Sequence, residues 1–220
     1  MEETTPREQV LKKIRNALIS KTENPYPSLD MEAPVYHSFT DPVDITFAEQ
    51  FVKAGGKFVY NENEPELRNN LLSLMAEKKI EEVFCREPEL IDVLNKTGIP
   101  NFSAIEKLEK TTTSVTGCEF LIARFGSIMV SSGQTTGRRA NVYPEIHIVI
   151  ASTSQVVSEL KDAITAMKKK YDKKLPSMVS VITGPSRTAD IEKTLVMGAH
   201  GPKELYVFLL DDVNNETYGR

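Results

Sequence analysis

Two glycine-rich loops hold most of the residues whose types could do chemistry. In SGQTTGRRAN, Gly133 and Gly137 keep the backbone accessible, while Arg138 and Arg139 offer planar guanidinium donors that match a carboxylate or phosphate. The pair points to an anion; the competing reading is a solvent-exposed turn in which at least one Arg pairs with a surface acid. The second loop, GPSRTADIEKTLVMGAHGP (184–202), lies between the apolar runs MVSVIT and ELYVFLL. Both runs read as buried parallel strands, and the loop as their crossover. Gly184-Pro185 turns the chain off the first strand, and Ser186 or Thr188 can cap a short helix with Asp190 and Glu192 in its first turn. Gly198 ends that helix, and His200-Gly201-Pro202 turns into the next strand. A helix start at the carboxyl end of a strand would offer unpaired N–H groups to an anion. The same residues would equally serve a tight crossover.

His200, in a glycine-bounded loop at a presumed strand mouth, is the stronger acid/base candidate. His147 lies in EIHIVI, where alternation puts Glu145, His147 and Val149 on one strand face and Ile146, Ile148 and Ile150 on the other. Spacing there favours a structural histidine over a catalytic one. Asp190 beside a bound anion would repel it, so its expected role is to hold its own loop or to orient an Arg or His. Neither loop matches the Walker A pattern or GxGxxG, and no flavin or dinucleotide fingerprint is present. Cys85 and Cys118 are far apart, each in or beside an apparent strand, and read as buried small hydrophobes. With His37, His147 and His200 they are too few and too scattered for an iron–sulfur cluster or structural zinc. The expectation is no metal and no cofactor of the chain's own.

The elements that must position these residues follow from periodicity. TPREQVLKKIRNALIS carries a capping box, Thr5 with Glu8, Pro6 at the first helical position and an apolar stripe of Val10, Leu11, Ile14 and Leu18. Pro25, Pro27, Pro34 and Pro42 then forbid a regular element. Residues 1–43 are thus expected to form an N-terminal helical arm, and 44–213 one α/β domain. In that domain a second box, Thr46 with Glu49, opens a helix stopped at Gly55-Gly56. KFVY, helix PELRNNLLSLMAEKK, EEVFC and helix PELIDVLNKTG follow, and Ser103 with Glu106 forms another box. Such alternation predicts a mostly parallel sheet with helices on both faces. EFLIA, SIMVS and EIHIVIA stand too close together for crossovers, which predicts an antiparallel or mixed insertion. Ser152 and Gln155 are expected to open a helix with the stripe Val156, Val157, Leu160, Ile164, Met167 and Tyr171.

Composition bounds the function. The 220 residues carry 27 Lys+Arg against 31 Asp+Glu, a formal charge of −4. No basic face is evident, so nucleic acid is not the expected partner. No apolar run approaches the roughly eighteen residues of a membrane span, and MEETTPREQV has no signal-peptide pattern, which predicts a cytoplasmic protein.

At this point the motifs carry a resemblance. GPSRTADIEKTLVMGAHGP resembles the terminal signature of the lactate-utilisation protein C family, the LUD-domain proteins, and TGCEFLIARFGSIMVSSGQTTGRRANVYPEIHIVIA resembles that family's central block. The likeness covers roughly residues 80–210, with both motifs in the family's order. Gly126 matches the glycine between the central strands, Gly137, Arg138 and Arg139 the Gly-Arg-Arg, and Pro144 and His147 the following Pro and His. Gly184, Pro185, Ser186, Asp190, Ile191, Glu192, His200, Gly201 and Pro202 match the last block. The chain departs at Arg124-Phe125, where many members carry Glu-Thr. A step that such a Glu performs is either missing here or done differently.

The resemblance implies a fold like that of ribose-5-phosphate isomerases, glucosamine-phosphate deaminases and CoA transferases. It implies a ligand-binding set of Gly126, Gly137, Arg138, Arg139, His147, Gly184, Pro185, Ser186 and Gly201, with His200 and Asp190 as catalytic candidates. It also implies a role beside iron–sulfur lactate-utilisation subunits that oxidise L-lactate to pyruvate, this chain being the subunit without a cluster and the holder of a small organic anion. Whether the chain is itself catalytic stays open. The alternatives are a stand-alone enzyme acting on a phosphorylated sugar, a CoA ester or another anionic metabolite, and an interaction module docked, or self-associated, through the arm.

Overall fold

The computed structural model describes residues 5–19, 25–30, 36–191, 194–198 and 200–212, without the side chains of 110, 188–191 and 194–197. The chain divides into two compact units, 1–38 and 39–220. In the first, helix α1 (Pro6–Ile19) opens on the reciprocal bonds its sequence predicts. Glu8 accepts from the Thr5 N–H at 2.8 Å, and the Thr5 hydroxyl accepts from the Glu8 N–H at 3.3 Å. α1 is the only helix or strand among the described residues of this unit, and Val10, Leu11, Ile14 and Leu18 are exposed.

The second unit runs α2 (Val43–Lys53), β1 (Lys57–Asn61), α3 (Glu64–Lys78), β2 (Val83–Phe84), α4 (Pro88–Thr97), β3 (Asn101–Phe102) and β4 (Thr113–Thr116). It continues through β5 (Phe120–Ile122), β6 (Ser127–Ser131), β7 (Ile146–Ser152), β8 (Val156–Val157), α5 (Leu160–Lys170), β9 (Val179–Ile182), β10 (Arg187–Ile191), β11 (Thr194–Met197) and β12 (Glu204–Leu210). Six strands form an all-parallel sheet in the order β1-β12-β7-β4-β2-β3, and four form a mixed sheet, β8-β5-β6-β9. The two expected sheet types are therefore both present.

Burial explains the patterning. One face of the parallel sheet, including Val115, Ile148, Ile150 and Phe208, packs against Leu67, Leu71 and Leu74 of α3 and Leu94 of α4. The other face, Val149, Ala151, Leu205, Val207 and Leu209, packs against Phe47 and Phe51 of α2 and against Leu121, Ile128 and Val130 of the mixed sheet. Strands covered on both sides read as continuous apolar runs, as β12 does. Phe47 and Phe51 are fully buried with stacked rings, each contributing about 2–3 kcal/mol of apolar burial. α5 closes the far side of the mixed sheet with Ala163 and Met167. Between β5 and β6, Gly126 has φ +56°, and a Cβ there would lie 2.1 Å from the Phe51 backbone nitrogen. Only glycine allows the hairpin to meet α2 so closely.

Several expectations are overturned. MVSVIT is no member of the parallel sheet: β9 pairs antiparallel with β6 and has alternately exposed residues. Ser180 between two exposed valines suits a strand with one open face. No helix follows it; β10 and β11 form an antiparallel hairpin, with Arg187 opposite Met197 and Ile191 opposite Thr194. Thr188, Ile191, Thr194 and Val196 are β-branched, and a helix this short has no buried face to hold it. Residues 192, 193 and 199 lie outside the described residues, Glu192 among them.

The internal capping boxes also differ. α2 starts three residues before Thr46, whose hydroxyl donates to the Asp41 carbonyl at 3.4 Å. Residues 105–110 form a 3₁₀ helix behind Ala104, with no side-chain cap from Ser103. Ser152 and Gln155 do exchange reciprocal bonds, but around one 3₁₀ turn. Val156 and Val157 then enter β8, so the stripe read as one helix is split between a strand and α5. β6 and β7 belong to different sheets, and no hairpin joins them.

Candidate functional site

Three segments meet around a cleft of about 380 Å³: 138–142, which leads into β7; 184–187, which leaves β9; and 200–202, which leads into β12. Arg138, Asn141, Gly184, Pro185, Ser186, Arg187, His200 and Gly201 line it, with Ser180 and Ile182 of β9. The two loops singled out in the sequence thus share one cleft. Its place differs from the expected carboxyl edge: it lies where chain enters the amino ends of β7 and β12. β9 ends in the other sheet, so Gly184 never reaches the carboxyl edge of the parallel one.

The source of positive charge differs too. In place of a helix start, the Ser186 N–H donates to the Pro202 carbonyl at 2.8 Å and the Gly198 N–H to the Ser186 carbonyl at 3.0 Å. The charge is carried by side chains. Arg138 Nη2 donates to Ser177 Oγ at 2.6 Å, and Arg187 Nη2 to the Ala54 carbonyl at 2.5 Å. Among the described residues neither guanidinium has a carboxylate partner, and no Asp or Glu lines the cleft. Gly184 has φ +72°, and a Cβ there would sit 2.2 Å from the same Ala54 carbonyl, so the loop is seated on the end of α2.

Other predicted residues are placed elsewhere. Arg139 pairs with Glu109 and covers the Tyr143 ring at 4.7 Å, the surface pairing that was the competing reading. Gly137 has φ +76° in open space, and neither it nor Gly126 lines the cleft. Asp190 lies on β10, with its side chain outside the described residues. Arg124, at the departure from the family pattern, bonds Glu159 at 2.5 Å and lies 4.2 Å from the Phe39 ring centroid, which ties the β5–β6 turn to the start of α5.

His147 is fully buried on β7, its Nε2 2.8 Å from Thr116 Oγ1. Burial pushes its pKa down to about 4, so the ring is neutral at pH 7. Its Nδ1 has no partner among the described residues. Asn141 was missed in the sequence: it is 6 % exposed, lines the cleft, and its Oδ1 also has no partner among the described residues. Nothing in its residue type or spacing separated it from an ordinary loop asparagine.

A second cleft, about 510 Å³, does occupy the carboxyl ends of the parallel strands. Glu64, Glu87 and Glu89 line it together with Gly117, Gln134, Lys170 and Tyr171. Behind it Glu119, with no exposed side-chain surface, accepts from Lys170 Nζ at 2.7 Å, Tyr171 OH at 2.7 Å and Ser131 Oγ at 2.5 Å. Burial opposes ionisation of this carboxyl, and the three donors outweigh it, holding its pKa below the usual carboxylate range. Glu87 accepts from the Gly117 N–H at 2.8 Å and from the Thr136 hydroxyl. A Cβ on Gly117 would lie 2.6 Å from Glu87, and one on Gly133 2.5 Å from the Tyr171 hydroxyl.

Cys85 and Cys118 are buried free thiols; burial raises the first to about 11 and the second further. Among the described residues no three His, Cys, Asp or Glu side chains are grouped to hold a metal ion, and no helix is long and apolar enough to cross a membrane.

An all-parallel sheet backed by a small mixed sheet, with a positively lined cleft between them, defines the class. The chain belongs to the LUD domain family, whose pattern matches residues 46–210. It is similar to lactate utilization protein C of Bacillus licheniformis, 32% identical over 110 residues, which are 49% of this chain and 46% of that protein. The Bacillus subtilis protein of the same name matches at 32% over the same length and shares. An uncharacterized protein of Neisseria meningitidis serogroup B is 35% identical over 94 residues, 43% of this chain and 40% of that one. The chain thus spans about half the length of the curated relatives it matches. A duf162 family protein from Deinococcus radiodurans superposes with a TM-score of 0.58 at 18% identity, covering 76% of this chain and 96% of that one. That likeness supports the fold alone.

Proposed function

We propose that the chain is a cluster-free subunit of a lactate-utilisation system and holds a small organic anion in the cleft between the two sheets. One observation carries the reading: Arg138 and Arg187 converge on a cleft with no lining carboxylate, in a family member related to lactate utilization protein C. The carboxyl-edge cleft is the poorer host for an anion, because its one lysine already neutralises Glu119 while Glu64, Glu87 and Glu89 repel negative charge. Oxidation of L-lactate to pyruvate removes two electrons and two protons. The electrons would pass to iron–sulfur clusters of partner subunits, and this chain's part is to hold the carboxylate. The α1 stripe is proposed as the surface that docks those partners.

Calorimetric titration of the full chain with acetate, L-lactate, pyruvate and inorganic phosphate tests the binding step. Arg138 is open to solvent, so Arg138→Ala should weaken carboxylate binding roughly tenfold, about 1.4 kcal/mol. Undiminished affinity in that variant would remove the cleft from consideration. In an assembly reconstituted with iron–sulfur partners, lactate-dependent reduction should stop when this chain is left out and should weaken when residues 1–43 are deleted.

A further inference from the structure

The parallel sheet is blunted at one edge and open at the other. Its β3 edge is two residues long, Asn101–Phe102. At the other edge β1 runs five residues in unbroken register with β12, its one neighbour among the described residues. The Asp211 N–H donates to the Asn61 carbonyl at 2.9 Å, so Asn61 turns its backbone groups towards β12, and by alternation Val59 and Lys57 do the same. Phe58 and Tyr60 therefore direct their N–H and C=O groups outwards. Such an edge is a template for another strand unless proline, a bulge or a charge blunts it. β1 holds no proline and no bulge, and its one charged side chain, Lys57, is held by Glu204 and lies 4.9 Å from the Tyr206 ring centroid, on the β12 side. The flank beside the edge is apolar. α2 covers the face of β1 from which Phe58 projects, with the Phe47 and Phe58 rings 6.1 Å apart. Its Gln50 side meets Gly126 of the β5–β6 turn, and Ile45 and Val52, both exposed, lie nearly half a turn round the helix from Gln50. Tyr60, exposed on the same sheet face as Phe58, continues the patch.

We infer that β1 pairs antiparallel with β1 of a second copy of this chain, on a two-fold axis through Val59, so that the two parallel sheets join into one. In that register Phe58 of one copy lies opposite Tyr60 of the other. These are the residues whose backbone groups point outwards, so both hydrogen-bonded pairs form. The same register sets aromatic rings side by side and places Lys57 opposite Asn61, with no like charges facing each other. An axis normal to the sheet keeps α2 and its copy on one face and antiparallel. The acidic start of one helix, with Asp44, then runs beside the basic end of the other, with Lys53, and Ile45 and Val52 close on their counterparts. A contact of this kind uses one patch twice and closes at two copies. A strand from another protein would have to reproduce the complementarity that a second copy already carries. The contact includes none of the residues that line the cleft between the sheets, so it stands apart from the anion reading.

Sedimentation equilibrium of the full chain tests the assembly, and hydrogen exchange of single amides tests the edge. The native chain should sediment at twice the 24.6 kDa of one copy. The double variant Ile45→Lys with Val52→Lys should associate at least tenfold more weakly, because it sets four cations against one another across the axis. In the native chain the Phe58 and Tyr60 amides should exchange at least tenfold more slowly in the dimer than in dilute monomer. A native chain that stays monomeric up to about 0.1 mM overturns the inference and leaves the edge to a strand of another protein. A dimer that keeps native association in the double variant, or whose Phe58 and Tyr60 amides exchange as fast as in the monomer, overturns it too. Should the double variant not fold, exchange at the two amides of the native chain decides alone.

Discussion

The two clefts differ in what stands behind them. The carboxyl-edge cleft is backed by Glu119, a charged group whose needs Lys170, Tyr171 and Ser131 meet. The cleft between the sheets is lined by Asn141, whose buried oxygen has no partner among the described residues; on β7, His147 is a neutral group with one nitrogen paired and one without a partner among them. A satisfied network rigidifies its surroundings and has little left to offer a ligand; an incomplete one is where a bound molecule can supply the missing partner. The larger cleft, at the place where parallel sheets ordinarily bind ligands, is therefore read as the structural one.

The largest expected effect probes that division from the structural side. Lys170→Met removes the one cation paired, among the described residues, with a fully buried carboxylate, and stranding such a charge costs about 3 kcal/mol or more. Urea denaturation should show the loss, and acetate or lactate affinity should stay within twofold of native. A stable Lys170→Met protein with tenfold weaker lactate binding would reverse the assignment of the two clefts.

The next effect comes from His147. Its pKa is about 4 in the folded chain and about 6.5 when unfolded, so over the interval between them the unfolded state binds the extra proton. Stability should thus fall as pH drops from 6.5 towards 4.5, by about 2 kcal/mol, while Glu204, whose burial works to raise its pKa but which Lys57, Tyr206 and Lys78 hold down to about 2, loses its stabilising contribution only below about 4.5. Denaturation midpoints measured across that interval should flatten in His147→Gln. An equally steep fall in the variant would place the titrating group elsewhere.

Much of the architecture was legible because burial leaves a trace in residue order. Val10, Leu11, Ile14 and Leu18 recur at helical spacing, and β12 is apolar from Leu205 to Leu210 because both of its faces are covered. Less legible was which sheet a short strand would join. Val179-Ser-Val-Ile182 fits a half-exposed edge as well as a buried strand, and its assignment depends on β6, nearly fifty residues earlier. The hairpin at 187–197 was hidden by turn formers that suit a helix cap as well as a β turn. At the site, Arg138 and His200 were found by residue type. Asn141 and Glu119 were not, because what marks them is the count of partners around a buried oxygen, which only the packed chain defines.

The smallest effect separates neighbours. Arg138 and Arg139 are adjacent and chemically identical, and the sequence treated them as a pair. In the structure Arg138 lines the cleft with the Ser177 hydroxyl as its one partner among the described residues, whereas Arg139 turns to Glu109 and Tyr143. An exposed ion pair of that kind contributes little to stability, and its arginine is spent. Arg139→Ala should therefore change carboxylate affinity by less than twofold, against about tenfold for Arg138→Ala, with neither variant measurably less stable than native. Raising the salt concentration should weaken carboxylate binding to the native chain and to Arg139→Ala alike, since Arg138 and Arg187 remain in both. Matching losses in the two alanine variants would mean that both guanidiniums reach the ligand, that the Glu109 pair opens on binding, and that the cleft extends over the outer side of the 138–142 segment.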